Sequence, residues 1–144
     1  MAIRDLSKKP FVIDRDNKIS VGLDLPIRRA QSDTGWFATS KTTLTAVKNN
    51  IKSLLLTQKG ERLMQPNLGM NLRKYLFEPV TPDTQILIEN DIVDTFAFWL
   101  PFVQLTGLEV SLKEGDTNQI NISVVFNIIK DPTSSDSVQV SIGE

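Results

Sequence analysis

Between Lys59 and Pro79 the chain reads KGERLMQPNLGMNLRKYLFEP, which gathers Glu61, Arg62, Arg73, Lys74 and Glu78 into one short stretch. Two glutamates at this separation suggest a paired-carboxylate site for glycoside cleavage. That chemistry needs one carboxyl kept protonated and a fixed spacing across a sugar-binding cleft. Glu61 is followed directly by Arg62, and Glu78 lies four residues after Lys74, the spacing of a helical ion pair. Nearby positive charge keeps a carboxylate ionised and works against a general acid.

Other chemistries are narrowed further by composition. The chain has no histidine and no cysteine. Ser-His-Asp triads, thiolate nucleophiles, disulfides and the common zinc sites are therefore excluded. Gly60 and Gly69 are too far apart, and lack the lysine context, for a phosphate-binding loop. No catalytic, metal or cofactor site is expected. Formal net charge is -1, so no global field draws the chain to nucleic acid or an acidic membrane. No apolar run reaches the length of a membrane span, the first residues do not read as a signal peptide, and the chain is read as cytosolic.

The elements that hold the Lys59–Pro79 stretch follow from periodicity. Leu44, Val47, Ile51, Leu54 and Leu55 recur at spacings of three and four, predicting a helix over 42–59 with its lysines mostly on a solvated face. Lys59 suits the carboxyl end of that helix, and Gly60 reads as its left-handed cap. Gln65-Pro66-Asn67-Leu68 predicts a β-turn, Gly69 a second change of direction, and Met70–Phe77 about two helical turns ended by Glu78-Pro79. A second long helix is predicted over 81–100. Thr81 caps it, Pro82 opens it, and its stripe is Ile88, Ile92, Val93, Phe96, Trp99 and Leu100. Phe96, Phe98 and Trp99 read as core or partner-facing packing rather than a ligand platform.

Downstream, alternation predicts strands at 108–112, 120–128 and 138–142, with turns at Glu114–Asp116 and Asp131–Ser135. Val125 and Ile129 suggest that the middle strand is partly covered on both faces. The fold class is α+β: two long helices and a short intervening helix packed on an antiparallel β-meander. Leu44, Ile51, Leu55, Ile92 and Phe96 are expected to pack against Ile122, Val124 and Phe126. Ahead of this domain (41–144), residues 1–40 read as an extended arm. Ile19 to Ile27 alternate as a half-buried strand, Pro26 confines that strand to a sheet edge or makes it only a docked arm, and Arg28–Gly35 is a polar linker.

So constrained a loop between the helices is expected to carry function, the rival reading being a tight connector between packed elements. Gly60, Pro66, Asn67 and Gly69 shape it, and Glu61, Arg62, Arg73 and Glu78 are presented by it.

The order G-E-R-x-M-x-P-x-x-G (Gly60–Gly69), a short helix, and then F-E-P (Phe77–Pro79) resembles the small baseplate wedge proteins of contractile phage tails. This family initiates tail sheath assembly, has counterparts in type VI secretion baseplates, and has at times carried a lysozyme-like label. The resemblance covers roughly Thr42 to Ile142 and leaves out the first forty residues. It implies a structural, non-enzymatic virion protein of the tail baseplate, assembled in the host cytoplasm and present in multiple copies. Its implied partners are other baseplate wedge proteins and the tail sheath protein, with no nucleic acid and no membrane. The family's Glu-Pro-Arg motif matches at Glu78 and Pro79, but the third position here is Val80. Arg73 or Arg62 supplies the missing positive group, or the partner differs. A sheath initiator also needs an open sheet edge, for which the strand bearing Val138, Val140 and Ile142 is the first choice and the 19–27 arm the second. The rival readings are a small cytosolic regulator that binds another protein through a similar domain, and a lysozyme-like hydrolase.

Overall fold

A computed structural model describes residues 19–31, 35–79, 81–113, 119–129 and 131–143. The chain divides into two compact units, Met1–Asn50 and Ile51–Glu144, and the division falls within the first long helix.

In the amino-terminal unit the expected single half-buried strand does not form. Among the described residues of this unit, only β1 (Gly22–Leu23) and β2 (Thr39–Ser40) pair as strands, antiparallel. Ile19, Leu23 and Ile27 are exposed. The expected polar linker is instead part of an irregular hairpin. Asp24 N–H donates to Ala38 O, Ala38 N–H to Arg28 O and Ala30 N–H to Trp36 O, and Arg29 bridges Phe37. Leu25-Pro26 is a cis peptide in the gap between these pairings. Alternation misleads here because each ladder is too short to seat successive side chains on a common buried face. Asn49 Nδ2 donates to Leu23 O at 3.0 Å and ties the hairpin to the first half of α1 (Thr43–Leu56).

Helix α1 starts where the sequence predicts, with Thr42 Oγ1 accepting the Thr45 amide at 3.3 Å. Leu44 is only half-buried, so it does not join the expected core. The helix ends at Leu56, before Lys59.

Helix α2 (Pro82–Trp99) matches its prediction more closely. Thr81 is extended (φ -124°, ψ 157°) and accepts the Thr84 amide, and Pro82 stands in the first turn, where a missing N–H is harmless. Ile88, Ile92 and Phe96 are buried, whereas Val93 is 47 % exposed and leaves the expected stripe. At 100° per residue Val93 falls about 100° from the centre of the Ile88–Ile92–Phe96 face, on its flank.

Three strands follow in sequential antiparallel order: β3 (Val103–Lys113), β4 (Gln119–Ile128) and β5 (Asp131–Ile142). The turn expected at Glu114–Asp116 lies outside the described residues. That expected at Asp131–Ser135 is overturned, because the chain is already paired from Asp131. The register passes from Ile128↔Asp131 to Asn127↔Ser135, so residues 132–134 form a slip within β5. Alternate residues of β4 (Ile120, Ile122, Val124, Phe126) are at most 1 % exposed. Its other face is half-covered, with Val125 exposed. Ile51, Leu55, Ile92 and Phe96 are buried in the same unit, and α2 packs along β3.

Candidate functional site

The Lys59–Pro79 stretch begins with a helix that stops early. Thr57 Oγ1 donates to the Ser53 carbonyl at 2.6 Å beside the Thr57 amide at 3.0 Å, so this carbonyl of the last helical turn accepts two bonds. The chain turns at once. Glu61 N–H reaches Gln58 O at 3.1 Å, with Gly60 at φ +90° in the third position of the turn. Gly60 therefore serves a β-turn rather than capping α1, and Lys59 does not meet the helix end. The Glu61 carboxylate accepts the Gln58 amide at 3.0 Å, so it braces its own turn. Arg62 Nη2 reaches Ser53 Oγ at 3.3 Å.

Two further turns follow, Arg62–Gln65 and the expected Gln65–Leu68, closed by amide bonds of 3.2 and 3.1 Å. The loop is then fastened across its width. Gly60 N–H donates to Pro66 O at 2.7 Å, and Met70 N–H to Thr57 O at 2.8 Å. Its backbone is thus fixed at the base while Leu63 (96 %) and Met64 (94 %) stand almost fully exposed at the tip.

A 3-10 helix, Leu72–Phe77, comes next, starting two residues later than the pattern suggests. Leu72 and Tyr75 are buried and anchor it. The Tyr75 hydroxyl donates to Asp91 on α2, Lys74 Nζ lies 3.5 Å from the same carboxylate, and the ammonium sits 4.4 Å from the Tyr75 ring centre. Burial raises the Tyr75 hydroxyl above its ordinary value, and the bond to Asp91 raises it further. Lys74 is raised too, first by its hydrogen bond to Tyr75, with burial opposing and Asp91 adding to the rise. The helical pair of Lys74 with Glu78 does not form, because Lys74 turns to Asp91.

Glu78 closes the 3-10 helix with its amide on Tyr75 O and takes an extended conformation (φ -90°, ψ 152°), as a residue before proline should. Its side chain is exposed. Pro79 O accepts from Thr84 Oγ1 at 3.0 Å, and this bond fixes Glu78-Pro79 to the start of α2. Val80 lies outside the described residues.

The expected site residues are therefore only partly brought together. Arg73 and Ile142 line one groove of about 470 Å³ with Leu56 and Phe77. Asn67 lines another of about 510 Å³, with Lys74, Asp91, Asp94 and Phe98. Val138, Val140 and Ile142 are buried, so β5 can offer a partner its backbone edge but not these side chains. It stands at the end of the three-strand order. Missed at the level of sequence are Leu63, Met64 and Phe77 (89 % exposed). Two apolar residues in succession within a turn-rich polar loop were the available signal.

Among the described residues no three acidic side chains gather as a metal site, and no helix is long and apolar enough to cross a membrane. The stretch and its surroundings thus present a stapled loop with a bare apolar tip, an exposed glutamate on a fixed backbone, and a strand at the end of the sheet order.

Comparison with known proteins gives the class of protein. The family model for baseplate wedge protein gp25 matches residues 42–133, and the chain belongs to that family. Baseplate wedge protein gp25 of Enterobacteria phage T4 is 24 % identical over 99 residues, covering 69 % of this chain and 74 % of the T4 protein. A chain in the six-fold symmetrised baseplate of the anti-feeding prophage shares the fold at a TM-score of 0.63 and 19 % identity, covering 74 % of this chain and 83 % of that one. A Geobacter sulfurreducens protein named as a tail lysozyme does so at 0.57 and 22 %, covering 67 % and 86 %. The protein is accordingly a structural baseplate wedge protein of contractile tails.

Proposed function

We propose that this chain is a non-catalytic subunit, built in multiple copies into a tail baseplate in the host cytoplasm, which joins its neighbours through the Lys59–Pro79 surface. In this reading residues 41–144 are the wedge domain and 1–40 an arm. One observation carries it: Leu63, Met64 and Phe77 are bare although the backbone beneath them is tightly bonded. Full burial of such side chains is worth about 1.5–3 kcal/mol each, a gain that only a partner supplies. Glu78 stands beside Phe77 and reaches a cation or backbone donors on that partner, Arg73 answers an acidic group there, and Arg62, Pro66 and Asn67 frame the loop. A hydrolytic role is disfavoured because Glu61 is spent on the Gln58 amide.

The variant Glu78→Ala should fold with a nearly unchanged melting temperature and fail to enter baseplates when co-expressed with the other wedge proteins. Assembly equal to the parent's would overturn the reading. Truncating one partner of a desolvated charged contact costs about 2–5 kcal/mol, enough to abolish incorporation.

The position of β5 at the sheet edge supports a second element, a strand added by the first tail sheath subunit. In an edge strand alternate amides point away from the sheet; on β5 the Ser137 amide is taken up by Asp136 Oδ1 at 2.7 Å, and the remaining outward amides are the ones to follow. Those amides of β5 should exchange quickly in the free protein and become protected in baseplates carrying sheath. Unchanged exchange there would remove the sheath from the partners.

A further inference from the structure

The two units of this chain carry opposite charge. Residues 1–50 hold nine Lys/Arg against five Asp/Glu, and residues 51–144 hold seven against twelve. Each unit also leaves an apolar surface uncovered. In the amino-terminal unit, Ile27, Trp36 (80 % exposed) and Phe37 line a shallow concavity with Arg28 and Arg29. Asp24 is held by Arg28, which lowers its carboxyl below the ordinary value. Arg29 is the second cation of that concavity.

In the other unit α2 is apolar on both sides. Its inner side packs on the core, as described. On its outer side Ile86, Leu87, Val93 and Phe98 are 47–73 % exposed. At 100° per residue Asp83, Asn90 and Asp94 fall between these apolar positions. The helix carries Asp83, Glu89, Asp91 and Asp94 and no lysine or arginine. This face is therefore apolar with an acidic strip, while the hairpin concavity is aromatic with a basic rim.

We propose that the outer face of α2 is covered by the amino-terminal unit of a second copy of this chain, with Trp36 and Phe37 on Leu87, Val93 and Phe98, and Arg29 toward Asp94. The occupant is set by chemistry. A surface that is both apolar and acidic selects a partner that is apolar and basic, and the chain itself holds that partner. Since the two faces differ, the contact is heterologous. Each copy keeps one free face of each kind, so copies add in succession and form a ring if the rotation closes. The proposal does not rest on the wedge contacts above, because it concerns other residues and is tested on the purified chain alone.

The absence of cysteine permits a direct test with the full-length protein. Phe37→Cys and Asn90→Cys chains, prepared separately and mixed under mild oxidant, should join as a disulfide dimer, whereas mixing Phe37→Cys with Ser111→Cys on β3 should not. In sedimentation velocity the parent should associate with rising concentration, at least ten-fold more weakly in 0.5 M salt. Arg29→Glu and Asp94→Lys should each weaken association about ten-fold with unchanged melting temperatures, and the two mixed together should recover it. A parent that stays monomeric to millimolar concentration would overturn the proposal. So would cross-linking confined to a chain that carries both cysteines, or association indifferent to both charge reversals. Capture of a basic neighbour by a monomeric parent would assign the face to that neighbour instead.

Discussion

Gly69 stands so close to Thr57 that a Cβ built on it would lie 2.2 Å from the Thr57 carbonyl oxygen, the atom that accepts the Met70 amide at 2.8 Å. This closes the base of the loop, and it combines a backbone at φ +106° with a backbone neighbour that cannot move aside. Gly69→Ala is expected to cost about 2–4 kcal/mol and lower the melting temperature accordingly. Gly60 also has a positive φ but open space around it, so Gly60→Ala should cost only about 1 kcal/mol. Equal losses in thermal or urea melts would refute the role given to Thr57.

Tyr75 is the sole tyrosine of the chain, so the ultraviolet absorbance of its tyrosinate form reports it without ambiguity. Its folded value is raised by burial and by Asp91, and Lys74 is raised by its contacts with Tyr75 and Asp91. The sign is the same for both. The stability they contribute is full below about pH 10 and is lost as pH climbs through the raised folded values. The titration midpoint should lie above that of the unfolded chain. Asp91→Asn should move it partway back, since burial is the larger cause. A midpoint equal to that of the denatured chain would contradict the geometry.

Thr84 is buried and bonds Pro79 O. Thr84→Val keeps the shape and removes the hydroxyl, so about 1 kcal/mol of stability should be lost. If the position of Glu78 matters for assembly, incorporation into baseplates should fall along with it. Thr81→Ala removes the α2 cap instead, at a similar cost of about 1 kcal/mol. Comparing the two separates helix stability from the placement of Glu78-Pro79.

Leu63→Ser with Met64→Ser should leave stability within about 0.5 kcal/mol, as changes at bare surface positions do, and should still block incorporation. A doubly substituted chain that enters baseplates normally would free the loop tip of any role.

What the sequence disclosed depended on how local each determinant is. Thr81-Pro82 and the Gln65–Leu68 turn are decided by adjacent residues and stand as read. Strong alternation placed β4 as the central strand. The end of α1 was hidden because the apolar run continues to Leu56 without a stop, and Gly60, the evident stop signal, serves the next turn. The slip at residues 132–134 looked like a turn because its composition is a turn's, yet pairing with Ile128 begins at Asp131. Pairing of Arg28–Ala30 with Trp36–Ala38 depends on partners across a gap and left no periodic trace. At the site, the fixed position of Glu78 was legible from Pro79. The occupation of Glu61 by Gln58, and of Lys74 by Asp91, was not, since both compete with equally plausible partners nearby.

The stapled base and bare tip of the loop have a consequence in redox chemistry. Met64 is 94 % exposed, while Met70, at the other end of the same loop, is 3 % exposed. Oxidation of a methionine thioether to the sulfoxide follows access, so peroxide should convert Met64 quickly and leave Met70 intact. That contrast makes Met64 a natural reporter, read by mass spectrometry, of whether the loop tip is free or covered. A sulfoxide formed before assembly would also place a polar, chiral group where an apolar one is needed. Oxidative damage to the free subunit should then be lost to assembly without any change in its fold.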